Sequence, residues 1–253
     1  MCRCNTTEEV VPLAPSLSLT LKAWAKRAFA ALGYDVRKLD RRPPSDGRVV
    51  QYRYVTADGS FDYESYRRVQ EEGNKRKLEH TWVIEENIAF LAEYVKKRIP
   101  SPEFGICHGT RRGKEQAWFR EHLGCEVIGT EISETATQFP HTIQWDFHET
   151  KPEWIGAVDF IYSNALDHSY DAEKCLGAWM RCLKPGGLCF IEHSSLHGPA
   201  GASELDPFGA ELVQMPFLIA TWSKGEYAVL EVIEAPKKYE SLETLHFIVL
   251  IKP

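Results

Sequence analysis

Two acid–histidine pairs, Asp167-His168 and Glu192-His193, stand where apolar runs break into polar residues. An imidazole that titrates near about 6.5 can take up a proton at neutral pH, so either pair carries the residue types for general-base chemistry on a hydroxyl. Adjacent residues on an extended chain point to opposite sides, so Asp167 need not orient His168. The competing reading of His168 and His193 is structural, with ring nitrogens satisfying backbone carbonyls. A second constellation lies upstream. Gly109-Thr-Arg-Arg-Gly113 follows an apolar run at 104–107, and Glu131 stands 18 residues beyond Gly113. A glycine turn between strand and helix presents backbone N–H groups to a ligand, and an acid at about that distance can meet ribose hydroxyls. Asp146 and Asn164 close the next two apolar runs.

These residues need a scaffold, and its pattern is legible from residue 103 onward. Short apolar runs at 104–107, 125–129, 143–145, 158–162 and 188–191 predict strands. A helix is predicted through Ala117, Phe119 and Leu123, and another, capped by Asp171, over Leu176, Trp179, Met180 and Leu183. Lys184-Pro185-Gly186-Gly187 ends that helix. Such alternation implies a doubly wound α/β sheet, mainly parallel, and the late runs 227–233 and 245–251 add an antiparallel edge hairpin. Every candidate residue falls at a strand's carboxyl end, where open α/β sheets bind ligands.

In this order the segments resemble the class I S-adenosylmethionine-dependent methyltransferases, a Rossmann-like group, and most of all its type 11 and 12 members. The resemblance rests on Gly109-Thr-Arg-Arg-Gly113, Ile128-Gly-Thr-Glu131-Ile132-Ser, Gln144-Trp145-Asp146-Phe147, Asp159-Phe-Ile-Tyr-Ser-Asn164 and Leu183-Lys-Pro-Gly-Gly187. It implies S-adenosylmethionine as methyl donor, with Glu131 on the ribose diol and Asp146 accepting from the adenine amine. Trp145 or Phe147 would pack on the adenine ring. Gly109 would let the backbone approach the methionine portion, and Cys107, His108, Gly113, Ile132 and Asn164 would complete the cofactor site. Two positions depart from the family pattern. Cys107 stands where an acid commonly ends the first strand, and Arg111 where a middle glycine is usual. A guanidinium at Arg111 or Arg112 suits a bidentate bond to the cofactor's carboxylate, or both side chains point into water. No metal is expected. Asp167, His168 and His193 are the candidates for acceptor chemistry, with O-methylation of a small-molecule or sugar-like acceptor favoured over N-methylation. The alternatives are a nucleotide-binding Rossmann oxidoreductase and a non-catalytic S-adenosylmethionine-binding protein.

Composition sets the outer bounds. The chain has 253 residues, 43% hydrophobic and 26% charged, with a net charge of −6, which disfavours a nucleic-acid coat. No apolar run is long enough to span a bilayer, and no secretory pattern opens the sequence, so a cytoplasmic protein is expected. Seven cysteines, most in apolar stretches, fit reduced thiols; Cys2 and Cys4 lack a second pair at metal-ligand spacing. The oligomeric state is left open, a homodimer among the alternatives. Residues 1–101 carry 18 Lys and Arg against 14 Asp and Glu, and 102–253 carry 12 against 22. An N-terminal tail and helical cap over 1–101, with helices at 17–32, 62–80 and 82–99, is therefore expected to lie against an acidic methyltransferase domain over 102–253. Gln70, Asn74 and Lys75 give the cap either a solvated face or a lid that touches ligand. The stretch 195–215, which includes His197, is expected to be a mobile loop over the pocket or a structural one.

Overall fold

The computed structural model describes residues 49–253. The helix expected at 17–32 and the Cys2/Cys4 pair lie outside the described residues. The described chain enters through β1 (Val50–Gln51), α1 (Tyr63–Arg76) and α2 (Glu85–Arg98). It then alternates through β2 (Phe104–His108), α3 (Lys114–Leu123), β3 (Glu126–Glu131), β4 (Thr142–Gln144), β5 (Val158–Ser163), α4 (Ala172–Cys182) and β6 (Leu183–Ser194). A short β7 (Phe208–Gly209), α5 (Met215–Ser223), β8 (Ala228–Glu234) and β9 (Leu245–Ile251) follow. Seven strands form one sheet in the order β4-β3-β2-β5-β6-β9-β8. The first five pair in parallel, while β9 runs antiparallel to both neighbours. This is the doubly wound sheet with an antiparallel terminal hairpin.

Strand periodicity divides the core between two faces. Cys189 and Ile191 of β6 with Ile248 and Leu250 of β9 point to the side covered by Leu176, Ala178 and Trp179 of α4 and Ile219 of α5. The alternate residues Leu188, Phe190, Phe247 and Val249 point to the other side, under Ile88, Leu91 and Val95 of α2 and Phe119 of α3. Every residue of β5 is buried, as befits an interior parallel strand. The α2 helix therefore belongs to the sheet's own core, although it precedes residue 102.

Local signals account for the helix ends. Gly124, at φ 68°, closes α3 in the left-handed conformation that suits glycine. Asp171 caps α4 by accepting a hydrogen bond from the Lys174 N–H at 2.9 Å. Asp171→Ala is expected to cost about 1 kcal/mol of stability, read as a lower urea midpoint at unchanged slope.

Two elements escape the periodicity. β7 pairs antiparallel with β1, Val50 opposite Gly209 and Gln51 opposite Phe208. α5 is apolar on nearly all sides, with Phe217 77% exposed, so no polar stripe marks it. Among the described residues no helix is long and apolar enough to cross a membrane.

Candidate active site

The strand order turns back between β2 and β5, and the loops after these strands open the crevice of the sheet. Two cavities meet there. A narrow one of about 60 Å³ is bounded by Tyr66, Gln70, Asn74, Glu131, Asp146 and Phe147. A larger one of about 600 Å³ is bounded by Trp82, Glu115, Asn164, Asp167, His197 and Tyr239. Lys77, Gly109, Arg111, Ala165 and His168 line both, so the two turns and the end of α1 border the passage between them.

The glycine turn is built for close approach. Gly109 has φ +74°, and a Cβ there would lie 2.5 Å from the Ala165 Cβ. Arg111, in place of the usual glycine, also takes a left-handed φ of 36°. A non-glycine residue is held in that region only by its surroundings. The Arg111 N–H donates to Glu131 Oε2 at 3.1 Å, and the Ser133 N–H donates to Oε1 at 3.1 Å. Glu131 is thus fixed from both sides at the end of β3, and burial raises its carboxyl pKa in spite of those donors. The Arg111 guanidinium donates to the His80 carbonyl at 3.1 Å, and that of Arg112 pairs with Glu79 at 2.8 Å.

Asp146 is also engaged. The Tyr63 hydroxyl donates to its Oδ2 at 2.8 Å, while the His148 N–H and Nδ1 lie 2.9 and 2.7 Å from Oδ1. Burial opposes ionisation, yet the His148 contacts and the Tyr63 hydrogen bond hold this carboxyl below its ordinary value. Of the two aromatics expected beside an adenine ring, Phe147 lines the narrow cavity. Trp145 packs edge-on against Trp154 at 5.7 Å and donates its indole N–H to the Glu149 carbonyl.

Asn164 and Ile132 reach the cavities, whereas the side chains of Cys107, His108 and Gly113 line neither. The thiol of Cys107 points into the core under α2 and α3, where burial pushes its pKa well up. His108 stacks on Trp179 at 4.9 Å, and burial lowers its pKa to about 3, so the ring is neutral. Gly113 serves as the N-cap of α3. Strand alternation explains Cys107 and His108, which end β2 on opposite faces of the sheet.

The two acid–histidine pairs separate. His168 lies in a short 3-10 turn, Leu166–His168, instead of an extended segment. Its Nδ1 is 2.9 Å from the Leu205 carbonyl, 3.1 Å from Gln70 Oε1 and 3.5 Å from Asp206 Oδ1. The Gln70 amide donates to the same Leu205 carbonyl, which orients its oxygen toward the ring. All three neighbours accept, so the hydrogen-bond network assigns the proton to Nδ1 and leaves Nε2 as the basic nitrogen.

Asp167 turns to a different histidine, with Oδ2 3.7 Å from His197 Nε2. The Ser194 N–H donates to His197 Nδ1, so the hydrogen of that ring sits on Nε2, facing Asp167. Burial works against the Asp167 charge, but His197 and His168 hold its pKa below the usual value, and its Oδ1 is buried without a hydrogen-bond partner. His193 is committed elsewhere. Its Nε2 is 3.0 Å from the Ala210 carbonyl, burial lowers its pKa to about 4, and it lines a separate small cavity. Its partner in sequence, Glu192, accepts from the Trp82 indole and the Tyr162 hydroxyl.

Helix α1 covers the narrow cavity with Tyr66, Gln70 and Asn74, while Lys75 pairs with Glu134 outside it. Two buried amides spaced i, i+4 in a charged helix were the visible signal. Trp82, Tyr239 and Glu115 had none: the aromatics stand outside any strand pattern, and Glu115 resembles an ordinary acid at a helix start. The segment expected over the pocket supplies Leu196, His197 and Asp206 to the larger cavity and Leu205 to the narrow one.

Residues 106–191 match the family model described as a methyltransferase domain. No curated protein matches the sequence. Among solved structures, the fold is similar to that of Burkholderia thailandensis 1,6-didemethyltoxoflavin-N1-methyltransferase, bound to 1,6-didemethyltoxoflavin and S-adenosylhomocysteine. That match has TM-score 0.59 and 13% identity over 84% of this chain and 98% of that one. It is also similar to the N-methyltransferase NodS of Bradyrhizobium japonicum in complex with S-adenosylhomocysteine, with TM-score 0.54 and 12% identity over 73% and 98%. The mitomycin 7-O-methyltransferase MmcR matches with TM-score 0.51 and 11% identity over 67% of this chain and 54% of that one. At such identities these structures speak for the fold, and the family model for the domain. The glycine turn that a Cβ would obstruct and the pinned acid after β3 both fall within the matched segment, so the site lies in the part of the chain, residues 106–191, that matches a methyltransferase domain.

Proposed function

We propose that the protein methylates a hydroxyl of a small molecule, with His168 as the base. Bound S-adenosylmethionine supplies an electrophilic methyl group on a sulfonium, which needs positioning more than activation. The chain's own contribution is to hold the nucleoside by Glu131 and Asp146, to seat the acceptor in the larger cavity, and to receive a proton. The observation that carries the hydroxyl reading is the tautomer of His168. Its Nδ1 hydrogen is committed to Leu205 and Gln70, which leaves Nε2 as the acceptor on a ring that lines both cavities. A hydroxyl nucleophile gains from such a base, whereas a neutral amine attacks with its own lone pair.

The test incubates the protein with methyl-labelled S-adenosylmethionine and fractionated cell extract, read by mass spectrometry. Label on an oxygen of a small molecule is the expected result. Label confined to macromolecules or to nitrogen would reject this acceptor class, and cofactor binding without transfer to any fraction would favour a binding-only protein.

A further inference from the structure

Glu115 lies on the first turn of α3, two residues beyond Gly113. It is 6% exposed and lines the larger cavity beside Gly109, Thr110 and Arg111. Among the described residues no hydrogen bond from another residue reaches its carboxyl, in contrast to its acidic neighbours. Glu131 accepts two backbone N–H groups, and Glu192 accepts from Trp82 and Tyr162. The charged groups that act on it are Arg111, Glu192 and Glu131, and it in turn acts on Cys107 and Tyr162, both of which burial keeps neutral. Burial raises its pKa to about 8, with its own backbone N–H and then the Arg111 guanidinium pulling the other way. A buried carboxyl held by no residue but its own backbone is costly to ionise, and a cation brought by a ligand offsets that cost.

The position of this carboxyl says which cation. A ligand whose nucleoside lies with Glu131 and Asp146 can extend past Gly109 and Arg111 into the larger cavity, which Glu115 lines. The methyl donor carries an ammonium and a carboxylate at the end remote from its base. Cys107, the last apolar residue before the turn, offers only a thiol that faces the core. We infer that the Glu115 carboxylate receives the α-ammonium of S-adenosylmethionine, so that the first turn of α3 clamps the amino-acid end. The inference rests on the methyltransferase reading above.

Calorimetry with two ligands separates them. S-Adenosylhomocysteine carries the amino-acid end, and 5′-methylthioadenosine is the nucleoside thioether without it. Glu115→Gln is expected to weaken S-adenosylhomocysteine binding by tenfold or more while leaving methylthioadenosine within about twofold, which also reports that the variant is folded. Unchanged binding of both ligands would overturn the inference and leave the family reading intact. Equal losses for both would make Glu115 a structural residue and overturn it too. Failure of the wild-type protein to bind either ligand would overturn the methyltransferase reading itself, and the inference with it.

A pH series adds a second readout. Glu115 is protonated in the free protein below about pH 8 and ionised against the ammonium, so binding releases a proton. The affinity of the wild type for S-adenosylhomocysteine should rise with pH by up to about tenfold per unit below pH 8, and that of Glu115→Gln should lack this component. Equal slopes for the two proteins would overturn the inference.

Discussion

His168→Ala is expected to lower kcat by about 10²–10⁴-fold while the Kd for S-adenosylhomocysteine stays within about twofold, because general-base assistance is lost and the nucleoside contacts are not. Alanine also removes the ring's anchor to Leu205 and Gln70, so a second variant isolates the chemistry. The substitution His168→Asn places an amide N–H near the position of Nδ1–H, able to donate to the Leu205 carbonyl at the spot where the native distance is 2.9 Å, yet it brings no basic nitrogen. This variant should therefore recover fold and cofactor binding and leave turnover low. Gln70→Ala, which removes one of the acceptors holding the ring, should reduce kcat less than either change at His168. Full turnover in His168→Asn would reduce His168 to a structural residue and remove the main support for a hydroxyl acceptor.

The second large effect is on cofactor affinity. Glu131→Ala should weaken S-adenosylhomocysteine by about 1–3 kcal/mol, the cost of leaving buried hydrogen-bonding groups unmet. The groups at stake are the hydroxyls of the ligand and the N–H donors of Arg111 and Ser133, which the carboxylate accepts at 3.1 Å each. Since the Arg111 N–H belongs to the strained turn, part of the loss should come from a looser loop. Methylthioadenosine has the same ribose and should weaken in parallel, the opposite of the ligand-selective effect expected at Glu115. An unchanged dissociation constant for both ligands would reject the ribose assignment.

The charge asymmetry of the sequence turned out to say little about how the parts cohere. Among the described residues, the ion pairs across the 101/102 boundary run in both senses. Lys75–Glu134 and Arg98–Glu231 put the base on the N-terminal side, while Arg112–Glu79 and Lys237–Glu86 put it on the other. Pairs this exposed contribute about 0–1 kcal/mol each. The α2 helix is held instead by Ile88, Leu91, Ala92 and Val95, all fully buried against the sheet.

The sequence by itself determined the sheet and where its ligand edge lies. Strand and helix periodicities are local, and so are the punctuating signals at Gly109, Gly113, Asp171 and Pro185-Gly186-Gly187. Candidates at Glu131, Asp146, Asn164 and His168 were therefore legible as residues at strand ends, and all of them line the two cavities. Only the tertiary structure decided which groups are already spoken for. The basic nitrogen of His168 follows from Leu205 and Gln70, 37 and 98 positions away, and the retirement of His193 from the Ala210 carbonyl. Asp167 faces His197, brought in from the distant 195–215 stretch, at 3.7 Å. Glu115 stands out because other residues donate to Glu131 and Glu192 beside it, while among the described residues only its own backbone donates to it. Apolar burial repeats with the geometry of the element and so leaves a period in the sequence. A polar group's partner is chosen by where distant segments meet, and that choice leaves none.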